Sequence, residues 1–460
     1  MPEGTRGGLP AIIPVQVRRT PTAEPVLKKS PLLIVFLTVF IDLLGFGIIM
    51  PLLPIYAKLL KADNLTIGLL MASFSAMQFL FAPVWGRLSD RVGRRPILVF
   101  GLLGSAVFYA LFGYASAIQS LTLLFVARIG AGICGANIAT AQAYIADSTT
   151  PEKRAGGMAL IGAAFGIGFT FGPLLGSFSV GDESGEKMTL SPSVGYVAAG
   201  LSFTAFLLSV FMLPESLKPD STPRARSWFS TGALRDALSI PTMGVLLLTF
   251  FLATFAFGHF EGVLSRVTVD VFRFSQRDNF FGFAMVGFTL ALAQGVVVRR
   301  LGPKLGETTM CVIGIVLMTA GLAAIGWALH NEHLAEAGAA KSELDGWEYA
   351  WGLPWFRVLA GSLVALVFGF AFLTPSIQSL ISRRSDADKQ GGILGLNQSC
   401  SALARILGPG LSNVCYDVLP GHTFPFFLAA GVMGLALLLS LRIGSSNLTA
   451  AESAAGEAKA

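Results

Sequence analysis

The chain has 460 residues, of which 53% are hydrophobic and only 13% charged. A soluble domain carries about 25% charged residues, so a soluble globule of this size is excluded, and a mean hydropathy of +0.68 points to a membrane protein. The net charge of +6 fits basic residues on one side of a membrane better than nucleic-acid binding, and four cysteines (Cys134, Cys311, Cys400, Cys415) without C-x-x-C spacing argue against a disulfide framework or a metal site.

Residues 1–30 are polar and proline-rich and read as a disordered cytosolic tail. The apolar run that follows is too long for a signal peptide and lacks a cleavage pattern. A membrane-spanning helix needs about 20 mostly apolar residues. Runs of that kind fall at 31–56, 66–85, 97–115, 121–144, 156–178 and 193–213, then at 241–263, 279–298, 307–329, 355–380, 391–413 and 423–442. The expected fold is therefore all-α, with twelve transmembrane helices in two six-helix bundles at 31–213 and 241–443. A cytosolic linker at 214–240 joins them, and a polar, disordered cytosolic tail follows at 444–460.

Lysines and arginines set the expected orientation. With the N-terminus inside, the inner loops hold Arg87, Arg91, Arg94, Arg95, Lys153, Arg154, Arg299, Arg300 and Arg383, and the outer loops hold fewer. The even span count places the C-terminus inside as well.

The two halves repeat. Residues 37–47, LTVFIDLLGFG, align without a gap on 248–258, LTFFLATFAFG, and 86–95, GRLSDRVGRR, align on 295–304, GVVVRRLGPK. Gly172-Pro173 is echoed by Gly408-Pro409. Parallel six-span repeats imply a pseudo-twofold axis along the membrane normal and a substrate site between the halves near the midplane.

Asp42 lies deep in the first span, where a charge costs at least ~2.5–3.5 kcal/mol. A carboxyl that can be neutral or charged there is what proton coupling needs; the competing reading is a structural aspartate bonded within the bundle. Arg128 and Arg405 also lie within spans and need partners. Each is either a group that modulates a nearby carboxyl or a static strut. His259 and Glu261 fall in the outer part of the seventh span, where polar groups can reach water; Glu261 is a candidate second coupling carboxylate and His259 a candidate cavity residue. Gln78, Asn137, Gln142, Asn397 and Gln398 are polar groups within spans that either line a cavity or bond neighbouring helices. Gly168, Gly172 and Gly176 put small residues on one helical face and Pro173 can kink that helix, so the segment is a candidate gate as well as a packing face.

The loop Gly86-Arg87-Leu88-Ser89-Asp90-Arg91-Val92-Gly93-Arg94-Arg95-Pro96 can form a charge latch on the cytoplasmic side, with Asp90 pairing an arginine or capping a helix. This loop resembles the signature loop of the major facilitator superfamily. Residues 40–54, FIDLLGFGIIMPLLP, resemble the first span of that superfamily's proton-coupled drug exporters, the tetracycline exporters included. Gln78–Pro83, Arg128-x-x-x-Gly132-x-x-Gly135-Ala136 and Gly168-x-x-x-Gly172-Pro173-x-x-Gly176 extend the likeness, the last to the motif associated with antiporters. The resemblance implies a transporter without cofactors that works by alternating access, with a role in transport for Asp42 and in proton transfer for Arg128. Two positions depart from the tetracycline pattern: Phe108 stands where those exporters carry an aspartate in the third span, and the ninth span has no acid.

The expected function is proton-coupled efflux of a small amphipathic or lipophilic organic compound, with the lipid bilayer, the substrate and protons as partners and no nucleic acid. Proton symport or facilitated diffusion of a metabolite is the alternative, and a non-transporting receptor or structural protein is the alternative from another class. No G-x-x-x-x-G-K-(S/T) loop or large cytosolic segment supports an ATP-driven pump or another enzyme. A bacterial inner membrane is the expected location.

Overall fold

The computed structural model describes residues 31–149, 164, 166–181, 188–217, 235, 237–336, 345–385 and 390–457. The tail expected at 1–30, the basic pair Lys153 and Arg154, and most of the expected linker lie outside the described residues.

The regular elements among the described residues are helices, and besides the longer ones a seven-residue helix lies at Gly346–Gly352. The longer helices are α1 (Leu32–Leu59), α2 (Asn64–Val92), α3 (Arg94–Ala117), α4 (Leu121–Asp147), α5 (residues 166–177), α6 (Pro192–Met212), α7 (Met243–Asp270), α8 (Gln276–Leu305), α9 (Glu307–Glu336), α10 (Phe356–Arg384), α11 (Gln390–Val414) and α12 (Phe424–Glu457). Ten helices among the described residues are long and apolar enough to cross a membrane. The helix α5, partly outside the described residues, and α11 are not among those ten.

Several helices outrun their apolar cores. The loop expected at 86–96 shrinks to Gly93, because the last two turns of α2 stay helical and α3 begins at Arg94. Gly93 sits at φ +112, a conformation that side chains resist, so the whole reversal is made on one residue. The helix α7 runs to Asp270 instead of ending at 263, and α9 runs to Glu336 into the stretch expected as an outer loop. The final helix continues to Glu457, past the end expected at 443; its four alanines favour helix, although the extension is too polar for lipid.

One hydrophobic core gathers Ile48, Leu52, Phe112, Ala127 and Val194 from the first half, and another gathers Leu246, Ala256, Ile315, Leu373 and Ala429 from the second. The halves are bonded to each other at one end. Met50–Leu52 forms a 3-10 turn inside α1, where Pro51 and Pro54 interrupt the helical hydrogen-bond ladder. The Pro51 carbonyl instead accepts from Ser265 Oγ at 2.5 Å and Asn279 Nδ2 at 3.1 Å. Lys58 pairs with Asp270 at 2.5 Å, and Asn64 donates to Asp417 at 2.8 Å. Beside them α2 and α11 touch backbone to backbone: a Cβ on Gly68 would lie 2.4 Å from the Gly410 carbonyl. These contacts all lie at the end of the bundle that carries residues 51–68 and 265–279.

Candidate functional site

Below that sealed end, a cavity with about 770 Å³ of empty space, part of it open to solvent, lies between the halves. The elements that shape it are broken or kinked. The turn in α1 sets Met50 at its rim, and a 3-10 turn at Gly135–Asn137 interrupts α4 and presents Asn137 to the cavity. Gln78 of α2 also lines it and donates from Nε2 to the Gly135 carbonyl at 3.1 Å, which satisfies a carbonyl freed by that break.

Asp42 lines the cavity from α1 and accepts from Ser202 Oγ of α6 at 3.0 Å. Arg128 is only 1% exposed and does not line it. Its guanidinium lies 4.6 Å from the centre of the Phe74 ring and 5.8 Å from that of Phe46, and both rings line the cavity. Among the described ion pairs none joins Arg128 to Asp42, and Nε and Nη1 of Arg128 have no hydrogen-bond partner. Tyr109, also in the lining, lies within electrostatic reach of both groups. The aromatic faces thus supply the stabilisation that a carboxylate would otherwise give the cation.

Glu261 lines the cavity from α7. Expected near a helix end, it lies nine residues before the end of α7, about 13 Å along the axis at 1.5 Å per residue. The amphipathic extension Ser265–Asp270 that hides this depth is held by polar contacts to the other half and by Arg266, which stacks 3.7 Å from the Tyr416 ring. Arg405 of the neighbouring helix α11 also lines the cavity and remains exposed to it. Arg405 donates from Nη1 to Ser401 Oγ at 2.9 Å and attracts Glu261 electrostatically.

Four expected cavity residues are not in the lining, and helical periodicity says why. His259 lies two residues before Glu261, about 200° around α7, and is buried against the Phe255 ring at a centroid distance of 5.3 Å. Gln142 lies five residues beyond Asn137, on another face of α4, and is half-buried. Asn397 is 1% exposed and turned into the helix packing. Gln398 shares a face with Arg405 but sits two turns away, about 10 Å along α11, exposed beyond the lining.

The basic segment and the glycine helix have local geometry of their own. Arg94 pairs with Asp90 and with Asp147 at 3.1 Å and donates to Ser89 Oγ at 2.6 Å. The carboxylate of Glu215 accepts from the backbone N–H groups of Arg94 and Arg95 at 2.9 and 3.1 Å, and Arg95 also donates from Nη2 to the Val210 carbonyl at 2.6 Å. Gly86 is buried and Arg91 exposed. These bonds tie α2, α3, α4 and α6 together within the first half, rather than joining the halves as a latch would. In α5, a Cβ on Gly168 would meet Leu43 at 3.1 Å and one on Gly172 would meet the Gly47 backbone at 3.0 Å, so this helix lies directly against the Asp42 segment of α1. Pro173 follows in the same contact, and a Cβ on Gly176 would meet Phe280 of the other half at 2.5 Å.

Sequence and structure comparisons bear on the family and the fold. The model of the Major Facilitator Superfamily matches residues 35–340. The class C tetracycline resistance protein of Escherichia coli is 31% identical over 397 residues, covering 85% of this chain and 91% of that protein. Human major facilitator superfamily domain-containing protein 10 is 28% identical over 468 residues, covering 89% and 94%. Among solved structures, the human organic anion transporter MFSD10 (TETRAN) aligns with a TM-score of 0.63 at 26% identity, over 89% of this chain and 99% of that one. A D-xylose-proton symporter aligns with a TM-score of 0.67 at 17% identity, over 89% and 96%, a likeness of fold alone.

Proposed function

The chain belongs to the major facilitator superfamily, a family of membrane transporters rather than enzymes, and from that premise we propose that it exports a small amphipathic organic compound in exchange for protons. One observation carries this reading: an ionisable acid, Asp42, lines a cavity between the two halves at a depth where its charge is costly. Gaining a proton removes that cost, so protonation favours one arrangement of the halves over another, which is the energetic requirement for coupling. The hydroxyl of Ser202 supports the ionised form by donating to it. Glu261 is a second carboxyl in the same cavity and serves as an auxiliary site. Arg128 acts through its positive field on Tyr109 and the cavity, not by direct pairing.

With the N-terminus inside, the sealed end faces outward and the cavity is poised to load from the cytoplasm. Twelve spans with both termini inside, the two-bundle division and a bacterial inner membrane remain part of this proposal. The named relatives support the direction and the kind of cargo, since one confers tetracycline resistance and another carries organic anions. The mixed lining, with phenylalanines beside a few charged groups, favours a compound with both apolar and polar parts.

The test is proton flux in vesicles reconstituted with the purified protein and loaded with a pH-sensitive dye, screened against amphipathic compounds, wild type beside Asp42→Asn. Substrate-driven proton movement in the wild type that vanishes in Asp42→Asn supports antiport through this residue. Transport of a compound without protons replaces antiport with facilitated diffusion, and equal coupling in the variant makes Asp42 structural.

A further inference from the structure

The repeat that relates the two halves also relates the two walls of the cavity. Carrying the ungapped register of 37–47 on 248–258 three residues further sets Met50 opposite Glu261, and aligning Gly172-Pro173 with Gly408-Pro409 sets Phe169 opposite Arg405. All four residues line the cavity. At two equivalent positions, therefore, the first half contributes an apolar side chain and the second half a charged one. With Phe46 and Phe74 beside Phe169, one wall of the cavity is aromatic and the facing wall carries Glu261 and Arg405.

Arg405 is the one cation among the described residues of that lining. It sits fifteen residues into α11, yet its side chain stays exposed, so its donors face the space of the cavity. The hydrogen bond to Ser401 occupies one of its five N–H groups. Glu261 attracts it, but no described carboxylate lies within ion-pair distance of it. A guanidinium fork so placed matches a carboxylate or similar oxyanion with two parallel hydrogen bonds.

We infer that Arg405 is the specificity-determining residue of the cavity and that the cargo is an amphipathic organic acid, its anionic group on the guanidinium and its apolar body on Phe46, Phe74 and Phe169. This rests on the proposed export function and names its substrate class. In the empty cavity Glu261 is the long-range counter-ion of Arg405, and the arriving acid takes over that role. Removing the Glu261 charge therefore strengthens binding of an acid, and the gain that comes through Arg405 is absent in the Arg405→Gln background.

Binding to the purified full-length protein, measured by calorimetry without any proton gradient, tests this. The probes are benzoate, 2-naphthoate and 1-pyrenecarboxylate, each beside its primary amide and the corresponding arylmethylamine. At least one acid is expected to bind about 10-fold tighter than its amide, the scale of a charge-assisted pair. Arg405→Gln erases that preference, Arg405→Lys keeps part of it, Glu261→Gln increases it, and Phe169→Ala weakens acid and amide alike. The assignment is overturned if no acid in the series binds better than its amide, if the amine binds best, or if Arg405→Gln keeps the preference. The binding assay involves no proton gradient, so a failure of proton coupling in the vesicle experiment and a failure of this assignment are read separately.

Discussion

Each half of the molecule places one acid in the cavity and one arginine at or behind its wall, and the two halves treat the pair in opposite ways. In the first half they are kept apart: Asp42 is held by a serine hydroxyl, and Arg128 is buried over two phenylalanine rings with two of its nitrogens unpaired. In the second half Glu261 and Arg405 stand on neighbouring helices of one cavity wall and attract. The positions are not equivalent in the repeat, since Asp42 aligns with Ala253 and Glu261 with Met50. Duplication thus supplied the scaffold, and the chemistry was set separately in each half. An acid without a nearby counter-ion changes the charge of its surroundings fully when it binds a proton, whereas an acid facing an arginine changes it less.

The sharpest way to break this comparison is to neutralise each acid in turn. Asp42→Asn is expected to lower substrate-driven proton flux about 100-fold, the low end of what a positioned proton-transfer group contributes. Glu261→Gln is expected to lower it less, because its charge is already offset by Arg405. Equal losses in both variants, measured in the same vesicles, would erase the functional difference between the halves.

A smaller effect is expected at the seam that closes one end of the cavity. A Cβ at Gly68 would stand 2.4 Å from the Gly410 carbonyl, and neither backbone can yield as a side chain would. Gly68→Ala should cost about 1–3 kcal/mol in the arrangement described here. It should shift the population toward the arrangement in which that seam is open. A single cysteine at Gln78 should then react faster with a membrane-impermeant thiol reagent added from the side that carries residues 60–64. An unchanged rate would mean that α2 and α11 do not form the seal.

Next in size is Arg128. Cation–π contacts of a desolvated arginine contribute about 2 kcal/mol, and they depend on the flat guanidinium stacking on Phe74 and Phe46. Arg128→Lys keeps the charge but loses the stacking and should lower stability by about 1–2 kcal/mol, read from thermal unfolding in detergent. Phe74→Leu should do the same without touching a charge. A lysine variant as stable as wild type would show that charge, and not the aromatic stack, is what the site needs.

The sequence disclosed the helices, their order and Asp42, because apolar length and an isolated intramembrane acid are local signals. It was less informative wherever position depends on helix ends or on distant partners. Glu261 read as a group near a helix terminus because Ser265–Asp270 is too polar to count as span, although it continues α7. The bonds from Lys58 to Asp270 and from Asn64 to Asp417 join residues 212 and 353 positions apart, which no local pattern reveals. The polar residues of α11 were grouped together, yet only the face of Arg405 and Pro409 reaches the cavity. Arg405 stands out in the sequence as a charge within a span, and the register of the repeat adds its match to Phe169.

The smallest predicted effect lies outside the membrane, at Glu215. Partial burial alone would raise the pKa of this carboxyl, but the backbone N–H groups of Leu217, Arg94, Arg95 and Ser216 outweigh it and hold it below its ordinary value of 4.5. Two of those donors open α3, where the helix dipole also favours a negative charge. Because the folded value is the lower one, the stabilisation is complete above pH 4.5 and fades as the pH falls below it. It is gone once the pH lies below the folded value. The group is largely exposed and screened by solvent, so the contribution is about 0.3–1 kcal/mol. Glu215→Gln should therefore lower the unfolding temperature slightly at pH 7 and not at all at the acidic limit, where the wild-type carboxyl is already neutral. A difference that stays the same across that range would mean that Glu215 holds α3 through the shape of its hydrogen bonds, with its charge contributing nothing.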